Sequence, residues 1–223
     1  MDDRSARSID DADRGIGRLR AYNVAMGFLH AVQGAAILAI ANDFALPITA
    51  SFLEGPPGTD PGPAQTLFEL RIAWGVATFV FVSALAHWLI ASPGIFTWYG
   101  RNLARNRNVA RWIEYAVSAS VMIVLIAMLT GISDVAALVA LFGVNASMIL
   151  FGLLQERYED PGGALLPFWL GCLAGAVPWI AIGIYLFGPG GAHLQLLKLE
   201  IGGDANSSDG AERSEERRVG KEC

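Results

Sequence analysis

Apolar residues gather in five long runs, roughly 21–41, 70–91, 112–131, 134–154 and 165–187, and the stretches between them hold most of the charge. About twenty apolar residues cross the hydrocarbon core of a bilayer as an α-helix, so the pattern predicts five transmembrane helices. Each run meets a breaker. Asn42-Asp43 and Pro47 close the first, Ser92-Pro93-Gly94 the second, Gly131 the third, Gln155-Glu156-Arg157 the fourth and Gly188-Pro189-Gly190-Gly191 the fifth. The connection 42–69 carries Gly55-Pro56-Pro57-Gly58 and is long enough for a hairpin or a cap. The expected fold is an all-α, polytopic membrane helix bundle.

Composition agrees: 53% of residues are apolar and only 17% charged, which a water-facing surface of this length does not tolerate. The charges crowd into 1–20, 101–111, 154–160 and 198–223. Arg4, Arg7, Arg14, Arg18 and Arg20 precede the first run, Arg101, Arg105, Arg107 and Arg111 lie between the second and third, and Arg157 follows the fourth. The alternate connections lack basic residues; 42–69 has Asp43, Glu54, Asp60 and Glu69, and the next on that side has Asp134. By the positive-inside rule the N-terminus is cytoplasmic and the protein a multi-pass protein of the cell membrane. Five arginines and five aspartates in residues 1–20 are unlike a cleaved signal peptide. The net charge of −5 comes partly from tails and loops and points to no nucleic-acid partner. Cys172 lies in an apolar run and Cys223 is the last residue, so neither a structural disulfide nor a metal site is expected.

The polar residues retained inside the runs carry the candidate chemistry, because an ionisable group in a span is costly and faces protein or a water cavity. They are His30, His87, Glu114 and Asn145. Asn23, Gly27, His30 and Gly34 share one helical stripe; Glu114, Ser118, Met122 and Leu125 share another; Asn145, Met148 and Gly152 a third. At 1.5 Å of rise per residue, Glu114 and His87 lie near the cytoplasmic ends of their runs and His30 nearer mid-membrane. Two readings of Glu114 stand. It is an interfacial carboxylate paired with Arg111, or it joins His30 and His87 in a buried titrating cluster. Each histidine taken singly reads as a helix-packing hydrogen bond, and so does Asn145. Gly171 and Gly175 form a GxxxG, which fits close helix approach within the bundle or in a homodimer.

Several motifs together resemble one family. These are Ala41-Asn42-Asp43-Phe44-Ala45-Leu46-Pro47 with Gly55-Pro56-Pro57-Gly58-Thr59, then Arg111-Trp112-Ile113-Glu114-Tyr115, the run 120–127, and Phe142-Gly143-Val144-Asn145-Ala146-Ser147-Met148 continuing to Gly152. Pro167-Phe168-Trp169 and Pro178-Trp179-Ile180 complete the set. Over about residues 18–190 the chain resembles the heliorhodopsins, seven-helix retinal proteins of inverted membrane topology, with which the cytoplasmic N-terminus agrees. The resemblance implies a light-sensing protein, sensory or regulatory and not an ion pump, that holds all-trans retinal as a protonated Schiff base. It implies that Glu114 is the counterion, with Ser118 one turn on. It further implies that Met122, Asn145, Met148 and Trp169 line the polyene pocket and that His30 and His87 accept the proton. The implied partners are retinal, membrane lipid and an unidentified signalling protein.

The family's retinal lysine is on its seventh helix, whereas only five of an expected seven spans are found here and the two lysines, Lys198 and Lys221, follow the fifth in polar sequence. Residues 213–223 resemble a translated sequencing adaptor and 191–223 read as an unstructured tail. The expectation is a fragment that lacks the attachment lysine. A proton- or cation-translocating transporter or channel built on His30, His87 and Glu114 is the alternative. No internal repeat supports it. A membrane enzyme is not expected, since no HExxH, Ser/His/Asp grouping or phosphate loop occurs. A scaffold whose basic 101–111 loop meets anionic lipid is a further reading, compatible with the photoreceptor.

Overall fold

The computed structural model describes residues 3–159 and 162–188. The tail 191–223, with Lys198, Lys221, Cys223 and the adaptor-like end, lies outside the described residues. The elements in order are α1 (Asp3–Ala39), β1 (Ala45–Ala50), β2 (Gln65–Arg71), α2 (Ile72–Ala91), α3 (Pro93–Leu103), α4 (Val109–Leu129), α5 (Val135–Tyr158) and α6 (Leu166–Phe187). Five of these helices are long and apolar enough to cross a membrane, the first over Gly17–Ala39. They pack as an arc in the order α1, α2, α4, α5, α6, each against the next. One end of the arc carries Arg18, Arg20, Arg101, Arg105, Arg107, Arg111 and Arg157; the other carries the β-hairpin. Wide apolar faces, including Val32, Val139, Leu173, Ile180 and Ile184, remain exposed on these helices, the condition of a bundle solvated by acyl chains rather than water.

Glycine positions set the helix spacing. Gly27 lies under the Trp88 ring and Gly34 under Phe81, so the Asn23, Gly27, His30, Gly34 stripe is the α1 face against α2. Gly75 of α2 receives Leu125 of α4, and Gly152 of α5 receives the Trp112 ring of α4. Gly171 and Gly175 face Phe151 and Met148 of α5. Their GxxxG therefore serves contact within the bundle, where small residues let backbones approach closely.

The structure departs from the sequence expectations at the ends of the elements. Ser92-Pro93-Gly94 does stop α2, but Pro93 then starts α3, where the sequence pattern predicts only loop. Proline suits a first helical turn because its missing N–H would be unpaired there anyway. Gln155-Glu156-Arg157 does not close α5, which continues to Tyr158. Arg71, within the second apolar run, is the last residue of β2 and pairs at 3.2 Å with Asp43. The two strands form an antiparallel sheet, the hairpin for which loop 42–69 is long enough, with a register irregularity between Ile48 and Thr49.

The hairpin is bolted to the bundle. Ile48 is buried with Ile123, Ala127, Met128, Ile132, Leu138, Leu141 and Ile182 from the ends of α4, α5 and α6 and the turn between α4 and α5. Thr49 donates its backbone N–H to the Ser133 carbonyl at 2.8 Å, and its Oγ1 lies 3.0 Å from Ser133 Oγ. Thr49→Val keeps the shape and the backbone bond and loses only the hydroxyl contact. Its expected cost is about 0.5–1.5 kcal/mol, read as faster amide exchange in residues 45–50 than in α4.

Candidate functional site

The arginine end of the arc brings together the ionisable residues of three spans. Ser83 and His87 stand one turn apart on one face of α2. His87 Nδ1 lies 2.9 Å from Asn23 Oδ1 of α1, and Asn23 Nδ2 donates to the Leu19 carbonyl at 2.9 Å. Asn23 is buried at 4% exposure. Since its amide nitrogen donates to Leu19, its oxygen faces the histidine as acceptor, which assigns the proton of that contact to His87 Nδ1. The His30 ring stacks on His87, centroids 5.5 Å apart and planes 16° from parallel, and His30 Nδ1 meets Gln33 Oε1 at 3.0 Å.

From α4, Glu114 accepts a hydrogen bond from Ser83 Oγ at 2.5 Å. It sits five residues past the helix start at Val109, about 7.5 Å along the axis. Its partner is not Arg111. That guanidinium turns to Glu156 of α5, at 3.5 Å, and lies over the Trp112 ring at 4.6 Å from its centroid. Among the described residues no arginine pairs with Glu114, so the ion pair with Arg111 is not formed. A cavity of about 190 Å³ opens between α1, α2, α3 and α4, lined by Asn23, Ser83, His87, Tyr99, Arg111 and Glu114. It has room for several waters at about 30 Å³ each.

The other residues singled out from the sequence divide. Ser118 is buried one turn beyond Glu114. Asn145 of α5 is also buried and donates from Nδ2 to Ser120 Oγ of α4 at 3.1 Å, the interhelical hydrogen bond expected of it. Met148 packs its thioether against Gly175. Met122 is 43% exposed, so it departs from a stripe in which Ser118 and Leu125 are buried and Glu114 is half-buried. Trp169, on the first turn of α6, is 64% exposed and meets Phe168 edge-on. The structure thus brings Glu114, His87 and His30 together with Asn23 and Ser83, and places Met122 and Trp169 outside that group.

Two members of the group carry too little signal in sequence. Serine is a common residue of membrane spans, and only its spacing of four from His87 marks Ser83. Asn23 has a place in a stripe, but its type alone does not single it out. Glu156 reads in sequence as part of a helix breaker; instead it accepts from Asn108 N at 2.8 Å and from Trp112 Nε1 at 2.7 Å, and so caps α4 from α5. An anion is favourable at that helix N-terminus.

A family model described as Heliorhodopsin matches residues 19–195, most of the chain. The chain belongs to the heliorhodopsin family. The match runs slightly past residue 190, where the motif resemblance ends. A second model, glycosyl hydrolase family 59, matches only residues 181–222, a short stretch that falls largely outside the described residues and holds none of the site. No curated protein matches. As a heliorhodopsin, the chain belongs to a family of membrane photoreceptors in which retinal is the chromophore, and its five apolar helices are the membrane part of that fold.

Proposed function

We propose that this heliorhodopsin is a light sensor, not an ion pump, whose N-terminus is cytoplasmic and whose Glu114 is the anion that balances protonated retinal. The observation that carries the reading is a half-buried carboxylate on α4 that takes one short hydroxyl hydrogen bond and, among the described residues, no arginine. Such a group is costly in a membrane span unless a cation meets it. The donor set fits a cationic imine on that side. Retinal, when held through a protonated imine, supplies a cation that absorbs visible light.

The remaining roles belong to the chain. Ser83 fixes one carboxylate oxygen of Glu114. With Nδ1 against Asn23, His87 can take a proton at Nε2. That places His87 to take part in a transient proton transfer within the membrane.

Retinal addition tests the reading. The protein expressed from its complete gene with all-trans retinal is expected to show a visible absorption band and a light-minus-dark difference spectrum, without steady light-driven pH change in vesicles. A colourless product under these conditions overturns the photoreceptor assignment, and a sustained photocurrent overturns the sensory one.

A further inference from the structure

The α3–α4 turn and the α5–α6 connection flank a polar cavity of about 360 Å³ at the arginine end of the bundle. Arg105 and Arg107 line it from the turn, and Arg157 and Glu159 from the end of α5. None of these four lines the cavity beside Glu114. The walls are tied to one another. Arg107 Nη2 donates to the Arg157 carbonyl at 3.0 Å, and Glu156 Oε2 accepts from Asn108 N at 2.8 Å. Gln155 holds the connection, donating to the Ala164 carbonyl at 2.8 Å and accepting from Phe168 N at 3.2 Å. The cavity is therefore formed before any ligand arrives, which lowers the cost of binding. Glu156 also lines it, but that carboxylate is already committed to Asn108, Trp112 and Arg111. Among the described residues the Arg105 guanidinium has no hydrogen-bond or ion-pair partner, and that of Arg157 only lies over the Tyr158 ring, 5.8 Å from its centroid. Three guanidinium groups thus share the cavity with one uncommitted carboxylate, Glu159, an excess of two positive charges.

We propose that this cavity binds a phosphate monoester on a hydroxylated carrier, with the phosphate at Arg105, Arg107 and Arg157 and a carrier hydroxyl donated to Glu159. Charge selects the phosphate. A monoester carries a charge of about −1.5 to −2 at neutral pH, which matches the excess on the walls. The planar guanidinium fork also suits phosphate oxygens, to which it donates two parallel hydrogen bonds. Size and Glu159 select the carrier. The volume equals that of about twelve waters at about 30 Å³ each, several times what one phosphate group displaces, and it lies in the range of about 300–1,000 Å³ typical of small-molecule pockets. A carboxylate in the wall repels a bare anion and rewards a ligand that brings a hydroxyl donor. A soluble sugar phosphate and the headgroup of a phosphorylated inositol lipid share this chemistry. The inference does not depend on retinal or on the orientation in the membrane.

Calorimetric titration tests the site. The protein expressed from its complete gene, in phosphatidylcholine nanodiscs, is titrated with glucose 6-phosphate, glucose 6-sulfate and inorganic phosphate. The sulfate ester keeps the carrier and the tetrahedral group but has one charge fewer, and is expected to bind several-fold more weakly. R105Q and R157Q should each weaken glucose 6-phosphate about tenfold or more, the worth of a hydrogen bond to a charged group. These two are chosen because neither guanidinium holds the fold together, whereas that of Arg107 bonds the Arg157 carbonyl. E159Q should tighten inorganic phosphate and narrow its difference from glucose 6-phosphate. A second set of nanodiscs contains phosphatidylinositol 4-phosphate, its retention read by native mass spectrometry. Retained lipid that displaces glucose 6-phosphate, or binds where the sugar does not, identifies a headgroup as the occupant; glucose 6-phosphate binding unaffected by the lipid identifies a soluble ester. Binding of neither, a sulfate ester or inorganic phosphate as tight as glucose 6-phosphate, or affinities unchanged in R105Q and R157Q overturns the proposal.

Discussion

Replacement of Glu114 by glutamine is expected to lower the apparent pKa of the retinal chromophore by about 1–3 units, the range by which an opposite charge at 4–6 Å stabilises a cation. The sign follows from which form the carboxylate favours. An anion stabilises the protonated imine, so its removal brings deprotonation, and loss of the visible band, to lower pH. Where the band persists it should move to longer wavelength, because the anion stabilises the ground state, whose positive charge is concentrated at the imine, more than the delocalised excited state. Absorbance titration of wild type and E114Q, each expressed from the complete gene with retinal, measures both effects. Ser83→Ala should move both the same way by less, since it removes a single hydroxyl donor to Glu114. Unchanged colour and pKa in E114Q would return Glu114 to a purely structural role.

Much of this arrangement is legible in the sequence, for a physical reason. A bilayer admits so few ionisable side chains that His30, His87 and Glu114 stand out by type, and helical spacing assigns them a face. The five spans are legible on the same ground, length and lack of charge. What escapes depends on partners far apart in the chain. Ser92-Pro93-Gly94 carries the same residues whether it ends one helix or begins another, and the choice falls to α3, whose Tyr99 is buried at the end of the bundle. Arg111 has Glu114 within reach on its own helix, yet it binds Glu156 of α5, a competitor that no local pattern reveals. The exposure of Met122 shows a similar limit, because a stripe drawn at helical spacing does not know where the neighbouring helix ends.

Gly152, Trp112 and Glu156 form one unit, and their substitutions are expected to be non-additive. Gly152 of α5 is in contact with the Trp112 ring of α4, and a Cβ at that position would overlap the ring. The ring cannot swing away freely, since its Nε1 donates to Glu156 Oε2 at 2.7 Å and Arg111 covers its face. Gly152→Val should therefore destabilise by about 1–3 kcal/mol through overpacking. Glu156→Ala strands the Trp112 and Asn108 donors and releases Arg111, at a cost of about 1.5–3 kcal/mol for hydrogen bonds to a charged group. With Glu156 gone the ring is free to move, so the double variant should fall short of the sum of the two by at least about 0.5 kcal/mol. Gly175→Ala is the control: the added methyl meets Sδ and Cγ of the flexible Met148 side chain, which can change rotamer. Unfolding by sodium dodecyl sulfate in mixed micelles, followed by circular dichroism, gives the four values of the cycle. Strict additivity, or a Gly175→Ala loss as large as that of Gly152→Val, would show that the indole is not the part that locks α4 to α5.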